Sequence, residues 1–187
     1  MAHKTRREGR AGRSSEYSRG VSDAVWTLDA SDGELVLRTG VVGRAARLGH
    51  RLTIAMTRWQ ALVNWSGTDP VAGELVAEVD SFEVMRGEGG VKTLNASRFP
   101  HIRFTTEAIA QTGNGYRLTG KLHIRGKSRE HVIDLHTEDL GAAWRISADT
   151  TVRQSNYGVK PYSLLMGSIR VADEVSVAFT AVRAKDD

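Results

Sequence analysis

The 187-residue chain has no cysteine, which removes a disulfide framework, cysteine-ligated zinc or iron–sulfur clusters, and thiol nucleophiles. It also has no apolar run approaching the roughly 18 residues of a spanning helix. Its N-terminal positive charges are not followed by the apolar stretch of about 7–15 residues that marks a secretory signal. The expectation is a soluble, cytoplasmic protein with no transmembrane segment. Catalytic motifs are equally scarce. The Gly-x-Ser-x-Gly elbow of serine hydrolases is missing. The nearest approach to a phosphate loop, Gly120 followed by Gly126-Lys127-Ser128, has five residues between its glycines where the motif requires four. Gly113 and Gly115 lack the third glycine and the following helix of a dinucleotide site. The histidines are His3, His50, His101, His123, His131 and His136, and they form neither an HExxH pair nor a short ligand cluster, so no metal is expected. Carboxylates are scattered, with no pair spaced for a division of acid and base roles.

The composition is otherwise ordinary: 40% apolar and 26% charged, enough for a sizeable core in about one domain. The charge is unevenly placed. Residues 1–20 hold Lys4, Arg6, Arg7, Arg10, Arg13 and Arg19 against Glu8 and Glu16, which accounts for the whole formal excess of +4. That segment has almost nothing large and apolar to bury, so it reads as a disordered, solvated basic tail preceding a folded domain at 21–187. The domain itself is formally neutral. A neutral body argues against specific nucleic-acid binding, and the neighbours Arg58-Trp59 and Arg103-Phe104 follow from strand alternation alone.

From Ala24 onward the dominant signal is period-two alternation, the mark of strands with one apolar and one polar face. Tyr116, Leu118, Gly120, Leu122 and Ile124 share one face, interleaved with Arg117, Thr119, Lys121, His123 and Arg125. Trp144, Ile146, Ala148, Thr150 and Val152 repeat the scheme, as do Val175, Val177, Phe179 and Ala181. Shorter copies occur at Leu35/Leu37, Leu75/Ala77/Val79 and Ile102/Phe104. Leu52, Ile54 and Met56 keep one phase while Trp59, Ala61, Val63 and Trp65 keep the opposite one, so an extra residue is expected near Arg58, as in a bulge. Turns are expected at Gly113-Asn114-Gly115 and Gly126-Lys127-Ser128, joining antiparallel strands. Short helices are expected at Gly40 to Leu48 and at Val91 to Arg98, the latter stopped by Pro100.

Eight or nine strands with one greasy face and almost no helix leave a sandwich or a closed barrel, and closure removes exposed edges. An eight-stranded barrel is either filled by its own side chains or hollow enough for one small ligand.

The order of several segments resembles the YceI family of lipocalin-like barrels. The likeness starts at Trp26-Thr27-Leu28-Asp29 and runs to about Val182. It is carried by Leu94-Asn95-Ala96-Ser97-Arg98-Phe99-Pro100-His101-Ile102-Arg103-Phe104, by the hairpin stretch from Gly120 to Arg129, by Gln154-Ser155-Asn156-Tyr157-Gly158 and by Asp173-Glu174-Val175. Many members carry a secretory signal, whereas this chain has the basic tail. Gly49-His50, ahead of the long strand, is similar to a subset of the family. The resemblance implies an all-β, extended eight-stranded antiparallel up-and-down barrel with one or two short helices. It also implies an interior that binds a polyisoprenoid or similar long amphiphile, without a catalytic residue set.

The expected function is a non-catalytic carrier of a long apolar ligand, such as a polyisoprenoid, an isoprenoid quinone or an acyl-chain amphiphile. Each buried methylene contributes about 0.8 kcal/mol, so such a chain needs no polar anchor and no further cofactor. The expected partner is thus a hydrophobic small molecule or lipid, and a homodimer fits equally. Candidate ligand-binding residues along the strands are Leu52, Ile54, Met56, Leu75, Val79, Phe104, Leu118, Leu122, Ile146 and Phe179. Tyr157, Tyr162, Leu164, Leu165 and Met166 would cover one mouth, and His50 would meet a head group. Plain core packing is the competing role for each strand and mouth residue, and capping of a strand end is the competing role for His50. Two alternatives stand beside the carrier: an enzyme acting on a hydrophobic substrate with His50 or His131 as acid/base, and a filled barrel acting as an interaction scaffold.

Overall fold

Where the alternation is clean the chain is strand, and where its phase slips the strand breaks. The computed structural model describes residues 23–44, 51–86, 94–161, 163–164 and 169–185. Its strands are β1 (Asp23–Asp29), β2 (Gly33–Val42), β3 (Thr53–Met56), β4 (Trp59–Ser66), β5 (Asp69–Glu78), β6 (Phe82–Arg86), β7 (His101–Thr112), β8 (Gly115–Ile124), β9 (Lys127–Asp139), β10 (Ala143–Arg153), β11 (Ser163–Leu164) and β12 (Ile169–Ala184). They form one antiparallel curled sheet in the order β1-β4-β5-β7-β8-β9-β10-β12-β2-β3-β6, with β11 pairing on β12. The fold is all-β. The expectation of eight strands is corrected to twelve among the described residues.

The physical reason for the larger count is interruption of long strands. β3 and β4 are separated by Thr57 and Arg58, where the phase slip was expected. There the Thr57 N–H donates to Ser81 O at 3.1 Å, and the Glu78 N–H donates to Arg58 O at 3.0 Å. Opposite them, a 3-10 turn at Val79–Ser81 separates β5 from β6. A bent strand and its bent partner thus break at the same level, as a tightly curled sheet demands.

Helix is nearly absent among the described residues: the described part of the span from Gly40 to Leu48 is strand and turn, while in the span from Val91 to Arg98 Leu94 is in 3-10 conformation and residues 91–93 lie outside the described residues. β2 continues through Gly40 to Val42, because Val41 and Val42 pair with Val171 and Arg170; residues 45–50 lie outside the described residues. Residues 96–98 form a turn closed by the Arg98 and Phe99 N–H groups on Asn95 O, with Asn95 at φ 55°. A further 3-10 turn is at Gln154–Tyr157.

The turn between β7 and β8 falls at Gly113-Asn114 as expected. That between β8 and β9 is Arg125-Gly126, one residue earlier than expected. Both of its residues have positive φ, 51° and 72°, as in the type I′ turns that match hairpin twist. Gly120 interrupts the apolar face of β8 for a steric reason. A Cβ there would lie 2.2 Å from Thr105 O, so no side chain fits where β8 crowds β7.

Inward-facing residues build two clusters. Leu28, Leu35, Met56, Trp59, Ala61, Ala77, Ile146 and Ala181 form one; Phe104, Leu122, Ile124, Tyr157 and Val159 form the other. Outward-facing charges pair across strands, for instance Arg117 with Asp134 at 2.7 Å and Arg145 with Glu138 at 2.7 Å.

Candidate ligand-binding site

The alternation puts one face of each strand on the concave side of the sheet, and the side chains there pack in clusters that leave a space between them. They surround a cavity of about 630 Å³, within the roughly 300–1,000 Å³ of small-molecule sites. Its wall includes both Tyr116 at the start of β8 and Ile124 at its end, a span of about 27 Å at ~3.4 Å per residue. The wall is overwhelmingly apolar. Glu74 and His131 are its only carboxylate and imidazole among the described residues, and no lysine or arginine lines it.

Of the expected contact residues, Ile54, Met56, Leu75, Phe104 and Leu118 lie on this wall, as do Leu122, Ile146, Tyr157 and Phe179. Leu52 and Val79 do not. Leu52 is half-buried beyond the start of β3, where its backbone bonds Thr39. Val79 is buried, but it sits in the 3-10 turn, where period-two alternation no longer decides which way a side chain faces. His50, Tyr162, Leu165 and Met166 lie outside the described residues, and Leu164 is described only as backbone in β11.

Sequence reasoning missed wall residues of three kinds. The first is tryptophan: Trp26, Trp65 and Trp144 line the wall, with Trp26 and Trp65 at 4.5 Å between ring centroids. Each shares the phase of apolar neighbours, which was the available signal. The second is Glu74, whose carboxylate accepts from Arg103 at 2.9 Å. The third is His131, in phase with Ile133 and Leu135 and weighed only as a core or acid/base histidine.

His131 Nε2 and Thr150 Oγ1 are hydrogen-bonded at 2.9 Å, and the imidazole meets Phe104 edge-on at 6.4 Å between centroids. Burial pushes the imidazole pKa below its ordinary 6.5, which favours the neutral ring. Its partner is a hydroxyl, where general acid/base catalysis commonly employs a carboxylate to orient the ring. Among the described residues, no group of three or more His, Cys, Asp or Glu is placed to hold a metal ion.

The sheet is discontinuous at two points along this wall. β5 pairs with β7 only from Glu74↔Thr105 to Glu78↔His101. Where that ladder stops, the Gly73 N–H donates to Thr106 Oγ1 at 2.7 Å. β9 pairs with β10 only from Asp139↔Trp144 to Leu135↔Ala148. Beyond that point the His131–Thr150 bond spans the two strands. Tyr157 and Val159, each 3% exposed, pack in a cluster that contacts Ile133 of β9 and Val152 of β10. Arg125 anchors this segment by donating from Nη1 to Gly158 O at 2.5 Å.

The YceI-like domain model matches residues 26–182, most of the chain. The chain belongs to the YceI-like family. Among solved structures, BcnA of Burkholderia cenocepacia is similar at 22% identity with a TM-score of 0.66, covering 84% of this chain and 99% of that one. The YceI protein of Campylobacter jejuni is similar at 12% identity with a TM-score of 0.57, covering 72% of this chain and 85% of that one. At such identities these YceI-like neighbours establish the fold. The curated proteins contain no match. No helix among the described residues of this YceI-like chain is long and apolar enough to cross a membrane.

Proposed function

We propose that this YceI-like protein is a carrier that holds a long apolar ligand, a polyisoprenoid, isoprenoid quinone or acyl-chain amphiphile, inside its sheet without a chemical step. The observation that carries this reading is the 630 Å³ cavity with its apolar wall. A filled barrel acting as a scaffold would need those side chains to interdigitate at interior density, leaving few voids larger than a water molecule.

Chain continuity supports an enclosed interior. β1 leads into β2 through a short turn, and the two halves lie along β4 and β3 respectively; β3 runs on into β4, and β5 into β6. Counted as bent single strands, these pairs reduce the sheet to eight antiparallel runs, and β12 returns to β2. Eight runs suit a barrel that holds one small ligand. The nine expected residues on the wall are then ligand contacts, and Tyr157 covers part of one end.

Native mass spectrometry of the purified protein, followed by organic extraction, tests the reading directly. A co-purifying lipid-sized mass, or stoichiometric uptake of an isoprenoid probe by stripped protein, is expected. Protein that is ligand-free as isolated and takes up no probe overturns the carrier in favour of the scaffold.

A further inference from the structure

Resting on the carrier reading, we propose that His131 and Thr150 form a head-group subsite inside the cavity, and that it recognises an uncharged hydroxyl or carbonyl on an otherwise apolar chain. Both side chains lie on the cavity wall, at positions where the phase of their strands otherwise places Ile133, Leu135, Ile146 and Ala148. The pair is therefore a polar island among apolar neighbours on the wall, with Thr137 the next polar side chain of the same phase along β9.

The chemistry of the island selects its ligand. The Nε2–Oγ1 bond at 2.9 Å uses one imidazole nitrogen, and among the described residues no group hydrogen-bonds Nδ1. If Nε2 donates to Thr150, Nδ1 accepts; if Nε2 accepts, Nδ1 donates. A hydroxyl satisfies either tautomer, and a carbonyl satisfies the second. Desolvation lowers the pKa of His131, so the ring that meets the ligand is neutral.

Charged heads are disfavoured by what the wall lacks. No lysine or arginine lines it among the described residues, and its one carboxylate, Glu74, is already held by Arg103 at 2.9 Å. A carboxylate or phosphate drawn to the level of His131 would lose its hydration without gaining a counter-ion, a cost a neutral head avoids. Phe104, edge-on to the imidazole, fixes the ring plane, so the polar group of the ligand meets an ordered partner.

The test compares hexadecanol, hexadecane and palmitate as ligands of the full-length protein at neutral pH, with bound amounts quantified after extraction. His131→Leu is expected to weaken hexadecanol by about tenfold, the upper range of one hydrogen bond, while leaving hexadecane unchanged. His131→Gln, which keeps a donor and an acceptor, is expected to retain most of the alcohol affinity. The wild type should hold palmitate more weakly than hexadecanol. An unchanged alcohol affinity in His131→Leu, or an equal loss of alcohol and alkane in both variants, overturns the subsite while leaving the carrier standing. Failure of the wild type to bind any of the three overturns both.

Discussion

Between β5 and β7 the strands part beyond Glu74↔Thr105 with the Gly73–Thr106 bond at the junction, whereas between β9 and β10 they part beyond Leu135↔Ala148 and a separate segment packs against the breach. Both breaches expose backbone groups that a continuous ladder would satisfy, and each uses a threonine hydroxyl where the ladder ends. Their surroundings differ. Tyr157 and Val159 are part of a buried cluster, so the β9/β10 breach is sealed by core packing. Beside the β5/β7 breach, Trp65, Pro70 and Ile109 line the cavity as Tyr157 and Val159 do, but belong to neither buried cluster. The lesson is that a sheet curled this tightly gives up pairing at some levels. How deeply each gap is buried depends on which other segment reaches it.

The sealed breach should be the more costly to disturb. Leu122→Arg puts an unpaired charge into the Tyr157 cluster and onto the cavity wall; loss of several kcal/mol, or no folded protein, is expected from denaturant titration, and any folded protein should retain no apolar chain. Folded Leu122→Arg that still carries ligand would contradict the assignment of that face. Tyr157→Ala should cost about 3–5 kcal/mol, as for other buried rings, and should accelerate hydrogen exchange in β9 residues 127–134 more than in β5. Equal exchange in both strands would remove the contrast between the two breaches.

At the open breach, Thr106→Val leaves the Gly73 N–H without its acceptor and should cost about 1–3 kcal/mol, with Thr106→Ser close to wild type. A Thr106→Val midpoint equal to wild type would mean that water serves Gly73 as well. The smallest effect is the pH dependence at His131. Its folded pKa lies below the ordinary 6.5, so the unfolded chain binds more protons in the window beneath that value. Stability should be fully present above about pH 6.5 and decline as pH falls through it, and His131→Gln should lessen that decline. Parallel stability–pH curves for the two proteins would show that the ring is not desolvated.

Legibility in the sequence followed period two. Tyr116, Leu118, Leu122 and Ile124 keep one phase across Gly120 and all reach the cavity wall, and the slip between Met56 and Trp59 marks the observed break. Val79 stands off the wall because the alternation of β5 ends in a helical turn, and no helix begins at Gly40 because Val41 and Val42 have strand partners far away in the chain. His131 stood in the right phase, but its partner Thr150 lies 19 residues on, and no local pattern encodes that meeting.

The order of residues by itself determined the all-β class and the side of each strand that would be apolar, because side-chain direction in a strand depends only on parity. Tertiary structure alone decided that the apolar faces stand apart around a cavity, that two ladders stop short, and that a histidine and a threonine meet across one of the gaps. Those outcomes depend on curvature and strand register, which are set by contacts distributed over the whole sheet.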